Sequence, residues 1–380
     1  MKSLKNKLLS WKRKKLGNCG IIQSGGTPDT NKKDYWQGTI PWITPSEVTG
    51  LSKKFVQKTE RYLTEKGLKD SSAVLLPSNS LIICTRATVG NSCINVVPMC
   101  TNQGFKNLIP NSENDVLFLY YLIENNKKDL IRKACGSTFL EISKKDIVNL
   151  SFLMPPTRNE QEKIVEVLEC WDKGIELVKK LIEQKELQKK GLLQNLVYNQ
   201  PTCKNFYLGN LFSLGRGRVI SKEEIQHNKG TYPVYSSQTS DNGILGYINS
   251  FDFEGEYLTW TTDGANAGKV FYRRGQFNCT NVCGTAKPHN SNLVNLYYVM
   301  SYLNKVTKRY VSYVGNPKLM NGVFSKIAIP LPEKTTQDWA ATVLETADKE
   351  IDLLKQKLAK LEAQKKGLMQ VLLTGKIRLK

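Results

Sequence analysis

Residues 161–196 read QEKIVEVLECWDKGIELVKKLIEQKELQKKGLLQNL, and residues 337–372 read QDWAATVLETADKEIDLLKQKLAKLEAQKKGLMQVL, the same stretch met again 176 residues on. Val167-Leu168-Glu169 falls on Val343-Leu344-Glu345, Asp172-Lys173 on Asp348-Lys349, and Gln188-Lys189-Lys190-Gly191-Leu192 on Gln364-Lys365-Lys366-Gly367-Leu368. Each copy follows a proline, Pro156 or Pro332, which keeps the chain extended just before a helix starts. A 4,3 spacing of seam residues, apolar but for three lysines, runs through both. The first copy gives Ile164, Leu168, Trp171, Ile175, Val178, Ile182, Lys185, Lys189, Leu192 and Leu196. The second gives Ala340, Leu344, Ala347, Ile351, Leu354, Leu358, Leu361, Lys365, Leu368 and Leu372. Held over more than four heptads with Glu, Lys and Gln between, this spacing specifies a coiled-coil seam. Leu168, Trp171, Ile175 and Ile182 are therefore expected to pair with Leu344, Ile351, Leu354, Leu358 and Leu361.

The rest of the chain is organised around these two helices. Residues 1–155 and 201–331 are loop-rich, with short β-prone runs such as Ile40–Thr44, Ala73–Leu76, Leu81–Thr85 and Cys93–Val97, and helical patches at Thr64–Lys69 and Asp115–Arg132. The second region echoes the first. Leu16-Gly17-Asn18 recurs as Leu208-Gly209-Asn210, Gly38-Thr39-Ile40-Pro41 as Gly230-Thr231-Tyr232-Pro233, and Cys100-Thr101-Asn102 as Cys279-Thr280-Asn281. Gly136–Ile147 loosely resembles Gly315–Ile327. The chain thus reads domain (1–155), helix (156–200), domain (201–331), helix (332–380), a duplicated α+β unit. One helix ends where the second domain begins and the other starts where it finishes. The two helices are therefore expected to run antiparallel about a pseudo-twofold axis, with the domains at opposite ends and the C-terminus returning to the first domain.

Composition narrows the function. A length of 380 residues favours more than one core, and a net charge of +21 favours a polyanionic partner, nucleic acid before membrane. No apolar run reaches the length of a membrane span and no signal peptide is evident, so a cytoplasmic protein is expected. Nine cysteines without paired spacing, and only His227 and His289, favour buried reduced thiols over a metal site. The basic run Lys2, Lys5, Lys7, Lys12, Arg13, Lys14 and Lys15 reads as a phosphate-contacting or solvated arm.

Catalytic signatures are wanting. Gly264-Ala-Asn-Ala-Gly268-Lys269 has one residue too few for a phosphate loop, and Val270 stands where Ser or Thr would hold magnesium. No Asn-Pro-Pro-Tyr-type stretch and no nucleoside-binding glycine fingerprint occurs, and Pro28-Asp29 lacks the acidic-x-Lys triplet of a nuclease. Polar loops offer more. Thr85, Arg86, Thr88, Asn102, Gln103 and Lys106 in the first domain are candidate DNA contacts. In the second they are Arg216, Arg218, Thr261, Thr262, Asp263, Asn266, Arg273, Arg274, Asn316 and Lys318. Arg can grip guanine bidentately, Asn or Gln can do so with adenine, and both also hold phosphates. The same residues would serve equally as ordinary solvated loops.

The whole pattern resembles the specificity subunits of type I restriction–modification enzymes. The resemblance rests on Leu16-Gly17 with Gly25-Gly26-Thr27-Pro28, Ile40-Pro41-Trp42, Thr259-Trp260-Thr261-Thr262-Asp263-Gly264-Ala265-Asn266-Ala267-Gly268, Pro155-Pro156 before Glu160-Gln161, and the duplicated Gln-Lys-Lys-Gly-Leu helix. The second helix departs in carrying Thr336-Gln337 in place of Glu160-Gln161. The family implies two target-recognition domains, each reading half of a bipartite, asymmetric site on double-stranded DNA, with the helices as a ruler for the spacer. It implies no catalysis in this chain. Two methyltransferase subunits, holding S-adenosylmethionine and methylating adenine, would be its partners, with motor-nuclease subunits in the full complex. A specificity subunit of a simpler restriction–methylation system, or a coiled-coil scaffold without a DNA role, would share much of the pattern.

Overall fold

The computed structural model describes residues 11–51, 54–134, 141–200 and 203–379. Lys2, Lys5 and Lys7, and the start of the Gly136–Ile147 echo, lie outside them. By packing, the chain divides into Met1–Lys179 with Lys357–Lys380, and Lys180–Gln356. Each unit is built from one domain and part of each long helix.

In the first unit the strands are β1 (Lys12–Lys15), β2 (Gly20–Ser24), β3 (Trp36–Ile43), β4 (Phe55–Val56), β5 (Arg61–Leu63), β6 (Leu81–Cys84), β7 (Ser92–Asn95), β8 (Cys100–Thr101), β9 (Phe105–Pro110) and β10 (Ser151–Met154). They form a five-stranded sheet ordered β2-β9-β6-β7-β4, a three-stranded sheet β5-β3-β8, and the antiparallel pair β1-β10. That last pair brings the entrance and exit of the domain together, Lys12 opposite Met154 and Lys15 opposite Ser151. The basic run at Lys12–Lys15 is thus a paired strand rather than a free arm, with Lys14 bonded to Glu113 (3.0 Å) and Lys15 to Asn149 (2.9 Å). Ala73–Leu76 makes only a single bridge, Leu76 to Met99, because its neighbours turn into loops. The helical patch at Asp115–Arg132 becomes two helices, Val116–Asn125 and Lys127–Lys133, broken at Asn126.

The second unit repeats the plan. Its strands are β11 (Lys204–Tyr207), β12 (Phe212–Arg216), β13 (Lys229–Tyr235), β14 (Ile244–Ile248), β15 (Phe253–Thr261), β16 (Val270–Cys279), β17 (Cys283–Pro288) and β18 (Ala328–Leu331). One six-stranded sheet runs β12-β17-β15-β16-β13-β14, and β11 pairs with β18 as β1 does with β10. The Leu-Gly-Asn echo marks the same turn in both: Leu16 N–H donates to Leu150 O (2.7 Å) and Leu208 N–H to Ile327 O (3.0 Å).

The long helices span Arg158–Leu193 and Lys334–Leu372, the first continuing as a π-turn at Gln194–Tyr198. Every seam residue named from the sequence is buried or half-buried, whereas Leu177, Leu187 and Leu353 off the seam are exposed. Truncating a fully buried seam leucine such as Leu168 or Leu344 to alanine would cost about 2–5 kcal/mol.

Within each unit the helices run antiparallel. In the first, Glu160 meets Arg378 (2.7 Å), Asp172 meets Lys365, and Lys179 meets Glu362 (2.9 Å). In the second, Lys185 meets Glu350 (2.8 Å), Glu186 meets Lys355 (2.7 Å), and Lys189 meets Asp348. The seam lysines are therefore matched by acids of the opposite helix. Exposed pairs such as Lys179–Glu362 contribute little energy and mainly fix register.

Two contacts tie each domain to its helices, and both are duplicated. Gln161 is buried, and its amide accepts from Asp115 N–H (2.9 Å) and donates to Glu113 O (3.3 Å). Gln337 does the same with Asn295 N–H (2.9 Å) and Leu293 O (3.2 Å). Asp115 and Asn295 in turn cap the domain helices Val116–Asn125 and Leu296–Val306, accepting from Phe118 N–H (2.8 Å) and Tyr298 N–H (3.0 Å). The second contact joins Asp172 to Lys365 and to Tyr121 Oη (2.6 Å), and Asp348 to Lys189 and Tyr297. The two tyrosines sit one helical turn apart relative to their caps, so the same bond is reached from different positions.

The C-terminus closes on the first domain, as connectivity requires. Gly375 has φ +69°, a conformation open to glycine, and it turns the chain against the ring of Trp11. Arg378 then grips buried Glu160 bidentately (2.7 Å to each oxygen), while Trp11 Nε1 donates to Glu160 Oε1 (3.0 Å).

Burial alone would raise the Asp172 carboxyl, but hydrogen bonds from Lys365, Lys54 (2.8 Å) and Tyr121 outweigh it and hold it below the ordinary value. A carboxylate depressed in the folded state contributes stability that is present above its unfolded value, about 3.9, and is lost as pH falls through the lower folded one. Asp172→Asn should therefore be less stable than the parent at pH 7 and lose less stability between about pH 4 and pH 2. Chemical denaturation across that range checks this; parallel curves would remove Asp172 from the acid-sensitive set.

Candidate nucleic-acid interface

In the first domain the candidates converge where β6 and β9 meet their loops. Thr85 directly follows β6: its N–H (2.9 Å) and Oγ1 (3.1 Å) both donate to Gly104 O, and its own carbonyl accepts from Ile142 N–H (2.9 Å). Thr85 is fully buried and so shapes the loop. Arg86 follows it outward, 45% exposed, beside Glu141 at 4.0 Å. Ala87, at φ +62°, turns the chain back towards half-buried Thr88.

Asn102 folds its own loop by accepting from Gly104 N–H (2.8 Å), and exposed Gln103 is bonded to Thr27 Oγ1. Lys106 stands on β9 rather than in a loop, with Nζ donating to Gln103 O (3.5 Å), and burial pulls its ammonium below the ordinary value. Arg86 and Gln103 are thus the outward-facing candidates of this group, and Thr85, Asn102 and Lys106 hold their backbone.

In the second domain Arg216, Thr262, Asp263 and Lys318 come together. Arg216 Nη2 lies 3.3 Å from Thr262 Oγ1 and 3.4 Å from Asp263 Oδ2, while Lys318 Nζ lies 3.6 Å from Asp263 Oδ1. Thr261 and Thr262 are buried, and Thr262 Oγ1 donates to Asp263 Oδ2 (2.8 Å). Asp263 therefore orients two exposed cations, one on either side. Asn266 is exposed on the adjoining Gly264–Gly268 turn, and Asn316 on the turn between Ser312 and Lys318, where Tyr313 and Val314 also face solvent.

Arg218 stands apart from this group. Glu224 grips it at 2.6 and 3.1 Å and Asp252 at 3.0 Å, and these bonds raise its guanidinium above the ordinary value.

Arg273 and Arg274 are not loop residues: both lie within β16. Arg273 is 3% exposed, its guanidinium stacked 3.6 Å over Tyr235 and 4.4 Å over Phe271, with Nε donating to Thr259 Oγ1 (3.2 Å). Burial lowers its affinity for the proton. Arg274 points the other way, 80% exposed and 3.8 Å from Glu256. Alternation along the strand separates them: Phe271, Arg273 and Phe277 share a face, and Tyr272, Arg274 and Gln276 the other.

Glu141, the partner of Arg86, was not among the sequence candidates. Its place opposite Arg86 is set by a bridge across a long sequence separation, which no local pattern in the sequence marks. Among the described residues six cysteines are buried free thiols, Cys19 and Cys84 pushed up to about 11 by burial, while Cys170 is exposed on the first long helix, contrary to the expected uniform burial. Among the described residues, no helix is long and apolar enough to cross a membrane.

The type I restriction modification DNA specificity domain matches this chain twice, over residues 9–187 and 202–363. A Mycoplasma pneumoniae candidate type I specificity subunit N-terminus is 45% identical over 144 residues, covering 38% of this chain and 76% of that one. The specificity subunit of a type I restriction enzyme from Methanocaldococcus jannaschii is 30% identical over 267 residues, 65% of this chain and 61% of its own. The crystal structure of a type I restriction–modification S subunit from M. genitalium superposes with a TM-score of 0.63 over 96% of both chains at 18% identity, a likeness of fold.

Packing places a testable difference between the two neighbouring arginines. Arg273→Ala would strand Thr259 and open a hole under two aromatic rings, so it should lower the thermal midpoint of the chain by several degrees. Arg274→Ala should leave the midpoint within about a degree. Calorimetry on the two variants decides it, and equal midpoints would show that Arg273 is not structural.

Proposed function

As the chain belongs to the type I restriction–modification DNA specificity family and carries its domain twice, we propose that it reads a bipartite DNA site, one half-site per domain. It supplies the address and partner subunits supply the chemistry. The observation that carries this reading is duplication with divergence. The two domains share their entry and exit strands, their Leu-Gly-Asn turns and their glutamine clamps. Their exposed loop residues differ: Arg86 and Gln103 in one, Arg216, Asn266, Asn316 and Lys318 in the other. Two readers on one plan with different outward side chains suit an asymmetric site. The net charge of +21 supports double-stranded DNA as the ligand.

The long helices act as the ruler between the half-sites in this reading, and as a docking surface for two methyltransferase subunits that hold S-adenosylmethionine. Motor-nuclease subunits would complete a restriction complex in the cytoplasm. Assembly with the methyltransferase subunits makes adenine methylation the readout of recognition.

Inserting four residues near Glu183 and four near Ala359 adds about one turn, roughly 6 Å, to each helix. At about 3.4 Å per base pair, the methylated sequence should keep both half-sites and gain one or two base pairs of spacer. Methylome sequencing in a host carrying the system measures this, and an unchanged spacer in an active complex would refute the ruler. The assembled complex should also lose DNA affinity steeply with salt, with a slope of about −0.9 per phosphate neutralised. Affinity that barely changes from low to physiological salt would count against DNA as the ligand.

A further inference from the structure

The loops that follow β6 and β15 are the same loop, disguised by one inserted residue. Cys84 N–H donates to Asn91 O (2.8 Å) and Gly90 N–H to Cys84 O (2.9 Å); Thr261 N–H donates to Lys269 O (3.0 Å) and Gly268 N–H to Thr261 O (2.8 Å). Gly90 and Gly268 both have φ +84°. Asn91 N–H donates to Thr88 O (3.1 Å), and Lys269 N–H to Asn266 O (3.0 Å). On the far side, Ile142 N–H donates to Thr85 O and Leu319 N–H to Thr262 O, both at 2.9 Å.

These bonds make Thr85 the equivalent of Thr262, Arg86 of Asp263, and Glu141 of Lys318. Arg86 with Glu141, and Asp263 with Lys318, are each an isolated antiparallel bridge. The ion pairs across them measure 4.0 and 3.6 Å. Their polarity is opposite. The first domain has its cation on the loop and its anion on the facing segment, and the second domain has the reverse.

Folding does not explain the reversal. Both backbones make the same bridge, and the Arg86–Glu141 pair is half-exposed, where an ion pair contributes little in either polarity. Arg86 and Glu141, at 45% and 46%, and Lys318, at 53%, face outward, and Asp263, at 19%, keeps a smaller exposed share. A cation beside an anion matches the major-groove edge of a G·C pair, where guanine offers the acceptors N7 and O6 and cytosine the N4 donor. Exchanging cation and anion matches the same pair turned over, C·G. In the second domain Arg216 also reaches Asp263, so its carboxylate is flanked by two cations.

Resting on the bipartite reading above, we propose that this bridge is a specificity-determining position in both domains. Each domain reads one G·C base pair with it, and the two read that pair in opposite orientations.

The test is a charge exchange in the complex assembled with its methyltransferase subunits. Arg86→Asp with Glu141→Lys gives the first domain the polarity that the second already carries on an equivalent backbone. The expected methylome has one G·C pair of the first half-site inverted, with the second half-site and the spacer unchanged. Preference for the parental base pair should fall about 5- to 150-fold. Asp263→Arg with Lys318→Glu should do the same to the second half-site alone.

Should either exchange fail to fold, Arg86→Gln with Glu141→Gln keeps the size of both side chains without their charge. It should blur the first half-site at that one base pair while the thermal midpoint holds. Unaltered half-sites in an active complex would overturn the proposal, and so would an even loss of affinity for all sequences, the mark of a phosphate contact. The parental complex, sequenced in parallel, separates the two levels. If it marks no bipartite site the underlying reading fails, whereas a bipartite parent with an indifferent variant sinks only the bridge.

Discussion

A lysine on the seam of one long helix meets an aspartate of the other, once in each unit: Lys365 with Asp172 and Lys189 with Asp348. On a bare coiled coil a seam lysine costs stability, since its ammonium must leave water. Here a carboxylate from the facing helix compensates for it, and a tyrosine hydroxyl from the domain donates to that carboxylate. The apolar seam residues would tolerate a slide by one heptad, but these bonds would not. They set the register of the helix pair and, through Tyr121 and Tyr297, the seat of each domain upon it.

The glutamine clamps work at the other end of the same problem. A domain helix begins with unsatisfied N–H groups, and Asp115 and Asn295 cap them. Gln161 and Gln337, from the first turn of each long helix, then bind the N–H of each cap residue and the carbonyl two residues before it. The polar loops beyond are thus carried on a frame whose hydrogen bonds are satisfied internally, which leaves their side chains free to diverge.

Much of this frame was legible in the sequence because helix pairing is local. A 4,3 spacing is read along the chain, and the acids that answer the seam lysines recur at the same offset as the lysines themselves. The sheets were harder. β6 lies between β7 and β9, and β15 between β16 and β17, through pairings that no local pattern announces. Arg273 illustrates the loss: a polar-looking Arg-Arg step suggested a loop, whereas the alternation of Phe271, Arg273 and Phe277 on one face of a strand was the better signal. The equivalence of Arg86 and Asp263 was hidden for another reason. Opposite charges do not align by eye, and only the backbone bonds around them reveal that they occupy one place.

The chain's two units divide across its long helices rather than at their ends. The first unit is therefore discontinuous: Leu372 and Leu373 belong to the same core as Leu16 and Phe118, and Arg378 neutralises Glu160. During synthesis this domain must wait for residues 372–378, made after the whole second unit, before its core can close, through contacts of large sequence separation. The second unit is continuous and has no such wait. A lesion in the final turn of the second helix is thus, physically, a lesion in the first domain, and the unit made first is the one completed last.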